Sequence, residues 1–233
     1  NPAAGRCLRW SGPLQCPGER DRAAPETATG RQSRRKCLRA PGGDQRKWPH
    51  LKMNPWGETP TLSLGDGKYL SETAAIVRYL DQSYPGRKIM GESPLEQGQD
   101  TMWENRIYTH ILYRIVTMFH VMHQGLGPKL ELTNNPQWGE HCRKEALSHA
   151  ALVDRHLSDG RSWMLGGDEP TFADITLCIA IAFSKFPVNA TPLDERFEHL
   201  DAIWKRWKVR PSFQTAYADG GSALDELAHL KKN

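Results

Sequence analysis

Thr59-Pro60, directly ahead of a short apolar run, and Glu72-Thr73, directly after one, are residues whose types and spacing could do chemistry together. A proline at the start of a strand removes a ladder donor unless the chain turns specially there, and the usual special turn is a cis peptide. Ser71, Glu72 and Thr73 open a helical pattern. A helix N-terminus, with its unpaired N–H groups and the positive end of its dipole, is a natural carboxylate site. The same residues also suit a purely structural role, Ser71 as N-cap and Glu72 as a first-turn acid. His120 and His123 stand at i, i+3 with no third ligand at a diagnostic spacing, so two helix-surface or interface histidines are expected and no metal. The five cysteines, at 7, 16, 37, 142 and 178, form no CxxC pair. Their odd number, without a secretory apolar region, points to a reducing, cytoplasmic setting.

The elements that must position these residues can be read from Trp48 onward. "LKMNPWGETP" is a loop of turn formers, "TLSL" alternates as a short strand, "GDGK" carries the Asp-Gly hairpin signal and "KYL" is the returning strand. Ser71 then begins a helix with Thr73, Ile76, Val77, Leu80 and Tyr84 on one face. Pro85, Gly86, Gly91 and Pro94 mark a linker over 85–94. Everything after it reads as helix. Residues 95–124 are apolar on more than one side. Ala146, Ala150, Val153 and Leu157 make a second stripe, and Phe197, Leu200, Trp204 and Trp207 a third. Thr171 to Asp174 has the form of a capping box at the head of an apolar helix, with Pro170 in the staple position. The longest apolar run, Ile175 to Phe183, is too short to span a bilayer and is expected as a buried helix.

The first 47 residues have a different character. They hold eleven of the 31 Lys and Arg but four of the 27 Asp and Glu, a local charge of +7 against −3 for the rest. Their large aliphatics are Leu8, Leu14 and Leu38 alone, and no period of 2 or 3.6 can be drawn. Such a segment cannot offset its own ordering entropy. Without aromatics interleaved for stacking beyond Trp10, it is not expected to bind nucleic acid.

Two stretches carry a family resemblance. "NPWGETPTLSLGDGKYLSETAAIVRYL" resembles the second half of a thioredoxin-like glutathione-binding domain, and "SWMLGGDEPTFADITLCIAIAF" resembles the central capping-box helix of the helical domain that follows it in glutathione S-transferases. "RPSFQTAYA" fits the last helices of that family. The look is that of the bacterial and theta-like cytosolic branches, from about residue 48 to 217. The resemblance implies an α/β thioredoxin-like N-terminal domain, incomplete or disordered at its start, then an all-α helical-bundle C-terminal domain. The divisions are a basic, disordered or frame-shifted segment at 1–47, the surviving β-β-α part at 48–84, a linker at 85–94 and the helical domain at 95–233.

It also implies that Thr59, ahead of a cis Pro60, pairs its backbone with the cysteinyl part of glutathione. Glu72 would take the γ-glutamyl ammonium, and Thr73, where the family usually has Ser, the carboxylate. Thr171 and Asp174 would be a folding element. The family's thiol-activating residue lies in a β-α-β unit ahead of the proline, and residues 1–47 do not show that unit. Without it the hairpin would lack the parallel neighbour it should pair with. Ser11 and Cys16 are the weak candidates there, so the catalytic residue is left unassigned. The expected protein is a cytoplasmic homodimer that conjugates glutathione, as co-substrate and without other cofactor or metal, to small hydrophobic electrophiles. Loss of the activating region would impair it. No nucleic-acid or membrane partner is expected. The alternative is a non-catalytic transferase-like binding or assembly module.

Overall fold

Asp66 and Gly67 both take positive φ, 50° and 73°, which is the backbone a two-residue hairpin loop needs and Asp-Gly readily adopts. The computed structural model describes residues 6–8 (backbone only), 43–122, 134–185 and 191–218. Three strands form one sheet in chain order, β1 (Arg6–Leu8), β2 (Thr61–Gly65) and β3 (Lys68–Ser71), with both pairs antiparallel. The Asp-Gly loop joins β2 to β3, and a register shift between Ser63 and Gly65 marks a bulge where Gly65 has φ 92°.

Leu8 lies opposite Thr61 and Arg6 opposite Ser63. The neighbour of β2 is therefore antiparallel rather than parallel, and it comes from the basic head. Three residues are too few to show a period, and ladder bonds are made by backbone groups whatever the side chains. The described backbone resumes at Gly43, ahead of the boundary expected at Trp48, with a 3-10 turn (Asp44–Arg46) and a short helix α1 (His50–Met53).

Helix α2 spans Thr73–Ser83. Ser71 is not its cap. It is the last residue of β3, paired with Thr61. The first helical bond runs from the Ile76 amide to the Glu72 carbonyl at 2.9 Å, which makes Glu72 the N-cap residue. The buried stripe is also narrower than expected. Ile76 is buried and Val77 and Leu80 half-buried, while Thr73 and Tyr84 are exposed.

The chain divides into two units, one running to Leu80 and the other beginning at Asp81. Residues expected as a linker belong to the second unit. The Asp81 carboxylate accepts from the amides of Ile89 (2.6 Å) and Met90 (3.3 Å), and Arg87 donates to the carbonyls of Glu169 (3.1 Å) and Pro170 (2.6 Å).

Helix α3 (Pro94–Ile107) opens on a Ser93/Glu96 capping box with proline in its first turn. This S-x-x-E signature begins inside the expected linker and runs past its end. Expected as one helix, the run 95–124 is interrupted by a π-helical segment at Tyr108–Leu112, from which α4 (Tyr113–Met122) continues; residues 123 and 124 lie outside the described residues. Helices α5 (Pro136–His156), α6 (Phe172–Ser184), α7 (Glu198–Lys208) and α8 (Pro211–Ala218) complete the described elements. The core gathers Ile107, Ile111, Ile115 and Met118 with Cys142, Ala146, Ala150 and Val153, then Leu177, Ala180 and Ile181 of α6. The stripes on α5 and α7 are buried as expected, except Phe197, which is half-buried at the α7 N-cap. Burial pushes the Cys178 thiol far up, and Cys142 is buried too, so both free thiols behave as small core hydrophobes.

The first turn of α6 is fully accounted for. The Phe172 amide donates to the Ile89 carbonyl (3.0 Å), the Ala173 amide to Asp100 Oδ1 (2.9 Å) and the Asp174 amide to the Thr171 side chain. Asp174 returns the bond. Its Oδ2 accepts from the Thr171 amide (2.9 Å) and hydroxyl (3.1 Å), and its Oδ1 from the Met164 amide (2.8 Å). The predicted capping box is formed, and the same carboxylate also holds the chain at Met164.

Asp174→Ala therefore removes a cap, which costs about 0.5–2 kcal/mol, and leaves two buried amides unpaired, at about 1–3 kcal/mol each. We expect a loss of at least about 2 kcal/mol by urea unfolding. A midpoint within error of the parent would show that the box contributes nothing.

Candidate functional site

Because Thr61 pairs with Ser71, the residues just before β2 and just after β3 share one end of the hairpin. Thr59 and Pro60 are half-buried there, and Glu72 and Thr73 are exposed. The sequence-predicted quartet is thus brought together by one register. The Thr59–Pro60 bond is cis, as expected.

The loop leading to Thr59 is braced by two residues that sequence reasoning passed over. His50 and Asn54, each 1% exposed, both direct a nitrogen at the Glu58 carbonyl, Nε2 at 2.9 Å and Nδ2 at 2.9 Å. A carbonyl only accepts, so His50 carries its proton on Nε2. Asn54 Oδ1 in turn accepts from the Trp56 amide (3.2 Å), and the Asn54 carbonyl accepts from the Gly57 amide (3.0 Å). Gly57 has φ 67°, a backbone that favours glycine, and a Cβ there would stand 3.3 Å from Arg46 Cγ, so that side chain would have to give way slightly. The signal was present as Asn before Pro-x-Gly, a turn whose Asx side chain bonds forward to the backbone.

Glu72 has φ 70°, the left-handed region that a residue with a side chain occupies rarely and at a cost. Such outliers gather where the surroundings need a particular direction of the backbone, often at ligand sites. Here the turn delivers the chain from the end of β3 straight into α2. The amides of Thr73, Ala74 and Ala75 form the first turn, where a helix offers no acceptor of its own. A carboxylate placed there meets oriented N–H groups, the positive end of the dipole and the Thr73 hydroxyl.

Ser11, Cys16 and His123 lie outside the described residues. His120 is half-buried, its ring edge-on to Phe119 at 5.4 Å. Among the described residues no group of three or more His, Cys, Asp or Glu could hold a metal ion, and no helix is long and apolar enough to cross a membrane. The Trp103 ring lies 4.1 Å from the His156 ring and carries the Arg106 guanidinium at 5.0 Å. It packs α3 against α5.

The family model described as glutathione S-transferase, N-terminal domain, matches residues 29–83, so the likeness begins within the basic head. Glutathione S-transferase 2 of Saccharomyces cerevisiae is 34% identical over 170 residues, 73% of this chain and 71% of that protein. The crystal structure of Gtt2 from the same yeast superposes with a TM-score of 0.67 at 33% identity, covering 75% of this chain and 82% of that one. A glutathione S-transferase domain-containing protein from Marinobacter aquaeolei VT8 gives 0.68 at 30% identity, with 76% and 84% covered.

The strain at Glu72 can be tested separately from any ligand. Glu72→Gly relieves roughly 1–2 kcal/mol of left-handed cost against about 0.5–1 kcal/mol of added chain entropy. The unfolding midpoint should hold or rise, whereas Glu72→Val should lower it. Equal losses for both would mean that the backbone at 72 is not held left-handed in solution.

Proposed function

The chain belongs to the glutathione S-transferase family, and from that premise we propose that it binds glutathione at the open end of the hairpin and transfers it to small hydrophobic electrophiles. The backbone of Thr59 pairs with the cysteinyl segment beside Pro60. The Glu72 carboxylate takes the γ-glutamyl ammonium, and the Thr73 hydroxyl with the first-turn amides of α2 takes the γ-glutamyl carboxylate. The observation that carries this reading is the Thr61–Ser71 register, which sets these groups side by side, with Glu72 held left-handed among them.

Glutathione is the co-substrate, and the chemistry needs no further cofactor. The thiol gives up its proton, the sulfur attacks the electrophilic carbon, and a leaving group such as halide departs with its electron pair. Lowering the thiol pKa takes a donor to the sulfur. That task falls to the segment before Gly43, where Ser11 and Cys16 are the candidate side chains. We place the protein in the cytoplasm as a twofold dimer, in keeping with its family and with two buried free thiols.

Losing a hydrogen bond to a charged group costs about 1.5–3 kcal/mol, which is roughly 10- to 150-fold in Kd. Glu72→Gln and Thr73→Ala should each weaken retention on immobilised glutathione by at least about tenfold. Conjugation of glutathione to an aryl halide at pH 6.5, where uncatalysed thiolate is scarce, reads the chemical step. Turnover that falls with Ser11→Ala or Cys16→Ala would identify the activating side chain. Retention without turnover would leave a binding module, and parent protein that is not retained would overturn the glutathione site itself.

A further inference from the structure

Helix α6 has two carboxyl groups at its N-terminus where its amides need one acceptor each. Asp100, from α3, reaches across and accepts from the Ala173 amide with Oδ1, while its Oδ2, in a residue 0% exposed, has no hydrogen-bond partner. Asp174 is likewise 0% exposed, and all of its recorded partners are donors. The Thr171 side chain lies against both carboxyls. Its hydroxyl donates to Asp174 Oδ2 at 3.1 Å and keeps a lone pair for a proton from the other side. The acids that bear on the pair are Asp81 at the end of α2, Glu104 of α3, which accepts from the Thr176 hydroxyl at 3.4 Å, and the Cys178 thiol of α6. The basic groups around it are engaged with backbone carbonyls, Arg87 with Pro170 (2.6 Å) and Arg161 and His156 with Met164 (3.2 and 2.8 Å). Two ionised carboxylates in such a place repel each other and lack water. A single retained proton relieves both problems.

We propose that Asp100 and Asp174 hold one proton between them across the Thr171 hydroxyl, so that the helical unit is tightest in mildly acidic solution and loosens at the start of α6 as that proton is lost. In chemical terms, protonated Asp100 Oδ2 donates to Thr171 Oγ1, which donates to Asp174 Oδ2. The second carboxylate keeps its charge for the helix amides. Burial raises the pKa of both groups, Asp174 up to about 6 and Asp100 upward as well, against the donors that lower them. The pair titrates together, so the shift belongs to the pair and not to one residue.

The sign follows from linkage. A carboxyl raised in the folded state binds more proton there than in the unfolded chain, between its ordinary range and the raised value. Stability therefore falls as pH rises through that window, about 4 to 6, and levels off above it. One proton of difference changes the unfolding constant by about tenfold per pH unit at most.

The test is urea unfolding of the full chain from pH 4.5 to 7.5, for the parent and for Asp100→Asn, whose amide mimics the neutral acid and still accepts from Ala173. The difference between the two curves cancels every other titration. We expect the variant to be relatively more stable with each step upward and to equal or exceed the parent at pH 7.5. A constant difference across the range would overturn the proposal. Should the variant fail to fold, carbon-detected NMR of the side-chain carboxyls of the parent decides: one raised, shared titration step at Asp100 and Asp174 supports the shared proton, and two ordinary carboxylate titrations overturn it.

Discussion

The helical unit depends on a buried carboxylate that is made to accept more hydrogen bonds than it has any other means of justifying its burial. Asp174 sits among apolar side chains, and desolvation opposes its charge. Three donors, two amides and a hydroxyl, oppose the desolvation. The balance ties together Thr171, Met164 and the head of α6, and through the Ala173 amide it reaches Asp100 on α3. Once α6 is started in one place and direction, Leu177, Ala180 and Ile181 are aimed into the core beside Ile107 and Ala150. Apolar burial supplies the driving force here, but it is non-directional. The carboxylate supplies the register.

The hairpin in the first unit solves a different problem with different means. Its two-residue loop, the bulge at Gly65 and the turn at Gly57 are backbone conformations chosen by residue type. His50 and Asn54 converge on one carbonyl to hold the approach to Thr59. Side chains with little freedom thus fix a stretch of main chain. On the proposed reading that end of the sheet presents main chain, so the identity of residue 59 would matter less than its position.

How much of this was legible follows from how local each signal is. The Asp-Gly loop, the Thr171–Asp174 box and the stripes on α5 and α7 are each written within a dozen residues or fewer, and all were found. The cap of α2 was misplaced by one residue, because Ser71 is the better capping type and only the ladder to Thr61 shows it to be committed to the sheet. Asp100 could not be found, since its partner stands 73 residues away and its own helix pattern marks it merely as a charge. The antiparallel strand Arg6–Leu8 was invisible for the reverse reason, being three residues of backbone pairing with no side-chain pattern. The π-helical segment at Tyr108–Leu112 lies in a run so apolar that either helix type fits it.

Helices α2 and α6 begin with the same unsatisfied chemistry, and the difference between them separates function from folding. At α6 every first-turn amide is taken by a protein acceptor, and the residues around it are buried. No ligand can enter without displacing one of those acceptors. At α2 the cap position is occupied by Glu72 in a backbone conformation that costs energy, and Glu72 and Thr73 stand exposed. A chain optimised only for stability would place glycine or asparagine there. Glutamate brings a carboxylate to the mouth of a helix whose first residues, Thr73 and Ala74, are exposed, so an acceptor and a set of donors stand within one turn of each other, the arrangement that the proposed glutathione site would use. On that proposal the strain at Glu72 is the cost of holding the acceptor and the donors within one turn of each other, next to a sheet end fixed by the Thr61–Ser71 pair.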